Sequence, residues 1–279
     1  MRAPIKLNKA YWPTPLTRLI PSTNNPLTLL DNNISPEQFS QAVSVFKFGT
    51  TLKSTRAFRF PLTVKSLSEL SNNKPSVILD VGASDGITSS HVMKQLQWKK
   101  YFVTDRNIDV YCREYRGTFY FFDSLANCVL IATNKFVIYR EYEDAVFPLN
   151  IIAKHFFSTM PPEDSEPQKI RLINPAIHSE SSDVFVYAYD IFTAWEQEPA
   201  DLVIAANILN RDYFSDAQIL RAIQNLRTAL KEGGRLTIID NRENERSSIF
   251  RLEKAMLISE HDINGGTEIK SLVLSLPAA

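Results

Sequence analysis

Residues 77–86 read Val77-Ile78-Leu79-Asp80-Val81-Gly82-Ala83-Ser84-Asp85-Gly86. The first five predict a buried strand, and the next five a turn that feeds a helix. The chain holds only eight glycines in 279 residues, and six of them fall in three groups: Gly82/Gly86, Gly233/Gly234 and Gly265/Gly266. A sequence this sparing with glycine keeps it where the backbone needs a left-handed conformation or a close approach.

Working outward from that turn, residues 87–97 predict a helix and Tyr101–Asp105 a second buried strand. Asp201–Leu209 predicts another strand. Residues 215–230 predict a helix with the stripe Ile219, Leu220, Ile223, Leu226 and Leu230, closed by Gly233-Gly234 as a left-handed cap. Arg235–Asp240 is the next strand. Lys254–His261 and Glu268–Leu276 predict a hairpin turning at Asp262–Gly266. Apolar strands separated by amphipathic helices predict a doubly wound α/β fold. Its sheet is mostly parallel, with an antiparallel C-terminal strand.

Two regions depart from this rhythm. Residues 1–75 carry ten basic and three acidic side chains, or +7, so the rest of the chain carries −7 and the whole is neutral. This segment predicts an N-terminal helical arm or lid, with helices opening at Ser35-Pro36 and spanning about 61–71, the first with the stripe Phe39, Ala42, Val43, Phe46. Such an arm either attracts an anionic acceptor or docks on its own acidic domain. Its aromatic residues Tyr11, Trp12, Phe58 and Phe60 stand among the charges. The second region, about 117–170, holds three strand-like runs and a helix and predicts a β-rich insertion, serving as a substrate cover, a homodimer surface or simple decoration. The expected division is therefore an arm at 1–75 and a catalytic domain at 76–279.

Composition narrows the function classes. A neutral chain argues against gripping nucleic acid through many phosphates. Two cysteines, Cys112 and Cys128, rule out a disulfide scaffold or a four-cysteine metal site and read as small buried hydrophobes. No apolar run approaches the roughly 18 residues that cross a bilayer, and the expectation is a cytoplasmic protein without a membrane partner.

A strand, a glycine turn and a helix bring backbone N–H groups to a ligand, and both dinucleotides and S-adenosylmethionine use that geometry. The dinucleotide pattern G-x-G-x-x-G is missing. Asp80, Gly82 and Gly86 instead resemble the D/E-x-G-x-G-x-G motif of class I S-adenosylmethionine-dependent methyltransferases, a Rossmann-like superfamily, with Ser84 at the middle glycine. Asp105 follows at the end of the next strand, then Tyr189-Asp190-Ile191-Phe192, then Asn207 after the strand at 201. The resemblance covers about residues 77–276 and implies S-adenosyl-L-methionine as cofactor. It also implies donor contacts from Asp80, Gly82, Ala83, Ser84, Gly86, Asp105, Asp190, Ile191 and Asn207, with Asp105 on the ribose hydroxyls and Asp190 on the adenine amino group. The departures are Ser84 and the spacing of 85 positions from Asp105 to Asp190.

The acceptor is weakly marked. Candidates for acceptor contacts are Asn210, Arg211 and Tyr213, with His155 as a candidate base on an apolar helix, where a packed core role is the commoner one. Asp240-Asn241 has the look of the Mg-dependent catechol-type enzymes, but Asn207 stands where those need a carboxylate, so no metal is expected. The leading expectation is methyl transfer to an oxygen or nitrogen of a small or conjugated metabolite. The alternatives are an NAD(P)-dependent oxidoreductase and a non-catalytic interaction scaffold on the same fold.

Overall fold

The computed structural model describes residues 4–31, 33–49, 51–53, 59–71, 76–140, 147–159, 166–178, 182–241 and 244–278. In chain order the elements are β1 (Ile5–Asn8), α1 (Thr14–Leu19), β2 (Ser22–Thr23), α2 (Pro36–Val43), β3 (Lys47–Phe48), β4 (Thr51–Leu52), α3 (Pro61–Leu70), β5 (Ser76–Val81), α4 (Ile87–Met93) and β6 (Trp98–Asp105). Then come β7 (Asp109–Tyr115), β8 (Thr118–Phe122), β9 (Cys128–Ala132), β10 (Phe136–Tyr139), α5 (Leu149–Ser158), β11 (Gln168–Arg171), α6 (Pro175–His178) and β12 (Val184–Ala188). The chain closes with β13 (Ala200–Ala206), α7 (Asp216–Thr228), β14 (Leu230–Asn241), β15 (Glu245–Glu253), β16 (Met256–Ile263) and α8 (Lys270–Leu274).

These elements form two compact units, Met1–Thr55 with Asn107–Pro175, and Arg56–Arg106 with Ala176–Ala279. The expected division at residue 75 is thereby corrected. The reason is strand pairing: β1 adds antiparallel to β10, with Ile5 opposite Ile138. A hairpin edge exposes a row of unpaired backbone groups, and β1 satisfies it. The expected arm and insertion are thus parts of one unit, while α3 belongs to the other.

The first unit is built on a sheet of order β11-β7-β8-β9-β10-β1-β2. Alternate residues on β8 to β10 serve two cores. Phe121, Leu130 and Val137 meet Phe39, Ala42, Val43 and Phe46, the stripe read from the sequence. Tyr120, Ile131 and Ile138 pack with Ala153, Phe156 and Phe157 of α5 on a separate core. Ser35 caps α2 in a reciprocal capping box with Gln38, which satisfies two N-terminal donors. Cys112 and Cys128 are buried, and burial pushes both thiols up to about 12.

The second unit has a sheet of order β12-β6-β5-β13-β14-β15-β16. The first five strands are parallel, β15 is antiparallel to β14, and β16 is antiparallel to β15. This is the expected doubly wound, mostly parallel α/β sheet. Its core is Val77, Leu79, Val81 and Val203 with the α7 stripe Ile219, Ile223 and Leu226.

Local assignments near the C-terminus change. The hairpin joins β15 to β16 through Lys254 and Ala255, and the segment expected as its second strand contains helix α8 instead. β15 escapes a pattern reading because Ser247 and Ser248 are buried in it, bonded to Thr63 and Asp262. Gly233 and Gly234 do not cap α7. That helix stops at Ala229, and both glycines lie inside β14, where a Cβ on Gly234 would come 2.8 Å from the Lys231 carbonyl oxygen. Helix α4 is shorter than the expected 87–97. Phe58 of the expected aromatic set lies outside the described residues.

Candidate functional site

Parallel strands aim their C-terminal ends the same way, and a ligand crevice forms where successive strands depart to opposite sides. In the second unit that point is β5, with β6 and β12 on one side and β13 and β14 on the other. The turn after β5, Asp105, Asp190, Asn207 and Asp240 all stand at these strand ends.

Asp80 lies under the turn rather than in the crevice. It is buried, and its Oδ2 accepts from Ser89 Oγ at 2.7 Å and Tyr101 OH at 3.0 Å. Burial pushes its carboxyl up to about 6, the two hydrogen bonds opposing that rise. The same burial, with Asp80 beside it, drives the Tyr101 phenol well above its ordinary value. Asp80 therefore anchors the strand end to α4 and β6.

The turn itself is closed by its own bonds. Ala83 N–H donates to Thr104 O, Gly86 N–H to Ala83 O, Ser84 N–H to Asp105 Oδ2 at 3.0 Å and Ile87 N–H to Asp85 Oδ1 at 3.0 Å. Ser84 takes φ 61°, the left-handed conformation, so the middle position of the motif keeps the backbone of a glycine with a serine in it. Gly82 and Gly86 have φ 66° and 83°, and a Cβ on them would come 2.4 Å from Ile208 Cγ2 and 2.9 Å from Ile177 Cγ1. The glycines thus admit neighbouring apolar side chains. Asp85 is fully buried at the start of α4 and was not picked out from the sequence. An Asp two residues before the first apolar helix position is the signal that could have found it.

Past β12 the loop is built the opposite way. Four consecutive carbonyls accept hydrogen bonds. Asp190 O takes Thr193 N–H and Oγ1, Ile191 O takes Asn225 Nδ2 at 2.9 Å, Phe192 O takes Arg221 Nη2 at 3.2 Å, and Thr193 O takes Tyr189 OH at 3.2 Å. Phe192 N–H donates to Asp190 Oδ1 at 3.0 Å, and Arg106 Nε sits 3.4 Å from Asp190 Oδ2. Burial pushes the Tyr189 phenol up to about 12, so it stays a donor. The Ile191 N–H has no protein acceptor among the described residues.

On the other side of β5, Asn207 also has a left-handed φ of 56°, and its N–H donates to Ile239 O. Asn210 folds the next turn, its Oδ1 accepting from Asp212 N–H. Arg211 is ion-paired to Asp216 and donates to Glu268 O. Tyr213 is exposed, edge-on to Phe214, which stacks edge-on against Phe192. Asp240 is buried and accepts from Thr267 Oγ1 and Glu268 N–H. Among the described residues, no group of three or more His, Cys, Asp or Glu could hold a metal ion.

His155 belongs to the other unit. It lies on α5 of the first unit, exposed, which corrects the expectation of a packed core position. The helix turns Ala153, Phe156 and Phe157 to the sheet and leaves residues 154 and 155 outward. Of the sequence candidates, then, the second unit gathers Gly82, Ala83, Ser84, Gly86, Asp105, Asp190, Ile191 and Asn207 at one sheet end, with Asn210, Arg211 and Tyr213 in the loop that follows Asn207. No helix among the described residues is long and apolar enough to cross a membrane.

No family model matches the chain, and no curated protein matches it. Among solved structures, the N-methyltransferase NodS from Bradyrhizobium japonicum, in complex with S-adenosyl-L-homocysteine, is similar at 18% identity and a TM-score of 0.34, over 65% of this chain and 60% of that one. An O-methyltransferase family protein from Burkholderia thailandensis is similar at 13% identity and 0.36, over 76% of this chain and 42% of that one. The S-adenosylmethionine-dependent methyltransferase SibL in its apo form is similar at 16% identity and 0.34, over 64% and 36%. The chain spans less than two thirds of the length of each. Identities and scores at this level leave the functional conclusion to the geometry of the strand ends.

Proposed function

We propose that the chain is a methyltransferase that takes S-adenosyl-L-methionine as donor and methylates an oxygen or nitrogen of a small or conjugated metabolite. The observation that carries this is where the glycine turn spends its N–H groups. A dinucleotide needs those groups, and the open N-terminus of the following helix, for its pyrophosphate. Here Ala83, Ser84, Gly86 and Ile87 donate within the protein, and the buried Asp85 carboxylate occupies the start of α4. A phosphate there would have to displace those bonds. S-adenosylmethionine carries no phosphate and makes no such demand.

The polar groups that remain fit that donor. Asp105, tied to the turn through Ser84 N–H, suits the two ribose hydroxyls. The Asp190 carboxylate beside the unbonded Ile191 N–H offers one acceptor and one donor, matching the amino group and ring nitrogen of an adenine edge. Asn207, Asn210 and Tyr213 then face the acceptor side. When bound, the donor supplies an already activated methyl group: an acceptor lone pair forms the new bond as the carbon–sulfur bond breaks, and the acceptor proton leaves. The residues' task is alignment and exclusion of water.

We further propose an anionic acceptor and a cytoplasmic site of action. What supports the anionic reading is the charge of residues 1–75, ten basic side chains against three acidic. Calorimetry with S-adenosylhomocysteine and with NAD tests the donor: micromolar binding of the former and none of the latter is expected, and the reverse sinks the reading. Labelled donor with a panel of carboxylated, phosphorylated and neutral acceptors tests the substrate class. Turnover confined to neutral acceptors would remove the anionic assignment.

A further inference from the structure

We propose that Asn225 and Arg221, one turn apart on α7, are positioning residues that set which purine base the donor site accepts. The inference rests on the donor reading above and extends it to residues that touch no ligand.

The loop Asp190–Thr193 leaves its β-strand and would be free to turn either face of its peptides to the crevice. Two side chains decide. Asn225 Nδ2 holds the Ile191 carbonyl at 2.9 Å, and Arg221 Nη2 holds the Phe192 carbonyl at 3.2 Å. Residues i and i+4 of a helix share a face, so both donors come from one rigid edge of α7. That helix is fixed by its capping box at Ser215 and by Ile219, Ala222, Ile223 and Leu226 in the core. The two peptides held this way, Ile191–Phe192 and Phe192–Thr193, aim their N–H groups at Asp190 Oδ1 and at Asp190 O, and that carbonyl shares its peptide with the Ile191 N–H, which with the Asp190 N–H is left unbonded among the described residues. Asp190, braced by Phe192 N–H and by Arg106, stands next to it as an acceptor.

An adjacent donor and acceptor discriminate between purines. A 6-amino purine presents a donor and an unprotonated ring nitrogen, complementary to the pair. A 6-oxo purine presents an oxygen to the carboxylate and a ring N–H to the Ile191 N–H, so both contacts become repulsive. Loss of α7's hold frees the two peptides whose N–H groups fix the Asp190 carboxylate and carbonyl, and blurs this distinction.

The test is a ratio of affinities, which a general loosening of the protein would not move selectively. S-adenosylhomocysteine and its 6-oxo counterpart are titrated into the parent chain, Asn225→Ala, Asn225→Gln and Arg221→Ala, with thermal unfolding of each. The parent is expected to prefer the 6-amino ligand by about tenfold or more, the worth of one to two hydrogen bonds. Asn225→Ala should bring the ratio to near one, Asn225→Gln should restore part of it, and Arg221→Ala should lower it less. If Asn225→Ala fails to unfold cooperatively, Arg221→Ala, whose side chain is exposed, decides alone. An unchanged ratio in the folded variants overturns the positioning role while leaving the donor reading intact. A parent that binds neither ligand overturns the donor reading itself, and this inference with it.

Discussion

The turn after β5 and the loop after β12 sit two strands apart on one sheet edge and use their backbones in opposite ways. In the turn, the N–H groups of Ala83, Ser84, Gly86 and Ile87 are consumed internally. In the loop, the carbonyls of four successive residues are consumed and two N–H groups, those of Asp190 and Ile191, are left. The first arrangement ties the turn to its own neighbours, and the second leaves donors open beside the Asp190 carboxylate. The glycine turn, which looks from sequence like the ligand-gripping element, also packs tightly: its glycines make room for Ile208 and Ile177. The loop, with no glycine at all, is the one whose carbonyls are all taken and whose donors stay open. A glycine motif therefore identifies a fold more readily than a contact.

That contrast can be broken most severely at Gly82. A methyl group there meets Ile208 at 2.4 Å, on a backbone with φ 66°. Overpacking and left-handed strain together should cost about 2–5 kcal/mol in Gly82→Ala, read as a fall in the denaturation midpoint. If Gly82→Ala keeps full stability and loses only donor affinity, the turn grips ligand after all.

Next in size is a pH effect under the turn. Asp80 has its carboxyl raised from an ordinary value near 3.8 to about 6. Its protonated form is favoured by folding, so its stability contribution is present below about pH 4 and is lost as pH rises through 6. The difference amounts to about 3 kcal/mol. Urea titrations at pH 4.5 and 7.5 should show this decline in the parent and a flatter profile in Asp80→Asn. Identical profiles would place the carboxylate in a more polar setting.

Asp105→Ala tests the joint between turn and crevice. It should weaken S-adenosylhomocysteine binding by about 1.5–3 kcal/mol with folding intact, because a charged acceptor is lost. Affinity within twofold of the parent would remove Asp105 from the site. The smallest effect is expected at Ser84→Gly, which relieves a left-handed φ of 61° and should stabilise the chain by about 1 kcal/mol. Donor binding should persist, since the bond to Asp105 comes from the backbone N–H. Activity, once an acceptor is found, should be unchanged by excess EDTA. Asp240 is committed to Thr267 and Glu268, and Asn207 is not a carboxylate.

The central sheet was legible because its strands hold apolar runs such as Leu202–Ala206, and α2 because its stripe recurs at 39, 42, 43 and 46. β7 was missed: in Asp109–Tyr115 the buried Val110 and Cys112 alternate with charged and aromatic residues, so only half of the strand is apolar. β15 was hidden by buried serines whose partners, Thr63 and Asp262, lie outside the strand, 184 and 14 residues away. The strand-end acids were readable from their order. Asn225 and Arg221 were not, because one polar residue per helical turn is what any solvated helix shows. Only the three-dimensional neighbour of each, a carbonyl about thirty residues earlier, gives it meaning.

The pairing of β1 with β10 has a consequence for how the chain is made. Ile5 meets Ile138, and α2 finds its core only against strands that begin at residue 109. A ribosome adding about 5–20 residues each second therefore emits the first 55 residues several seconds before their partners exist. Meanwhile the stripe Phe39, Ala42, Val43, Phe46 has only the short segment Leu27–Ile34 to pack on. Chaperone dependence during synthesis should consequently be concentrated in this amino-terminal stretch, and a circular permutant that begins at residue 107 and rejoins the ends would shift it elsewhere.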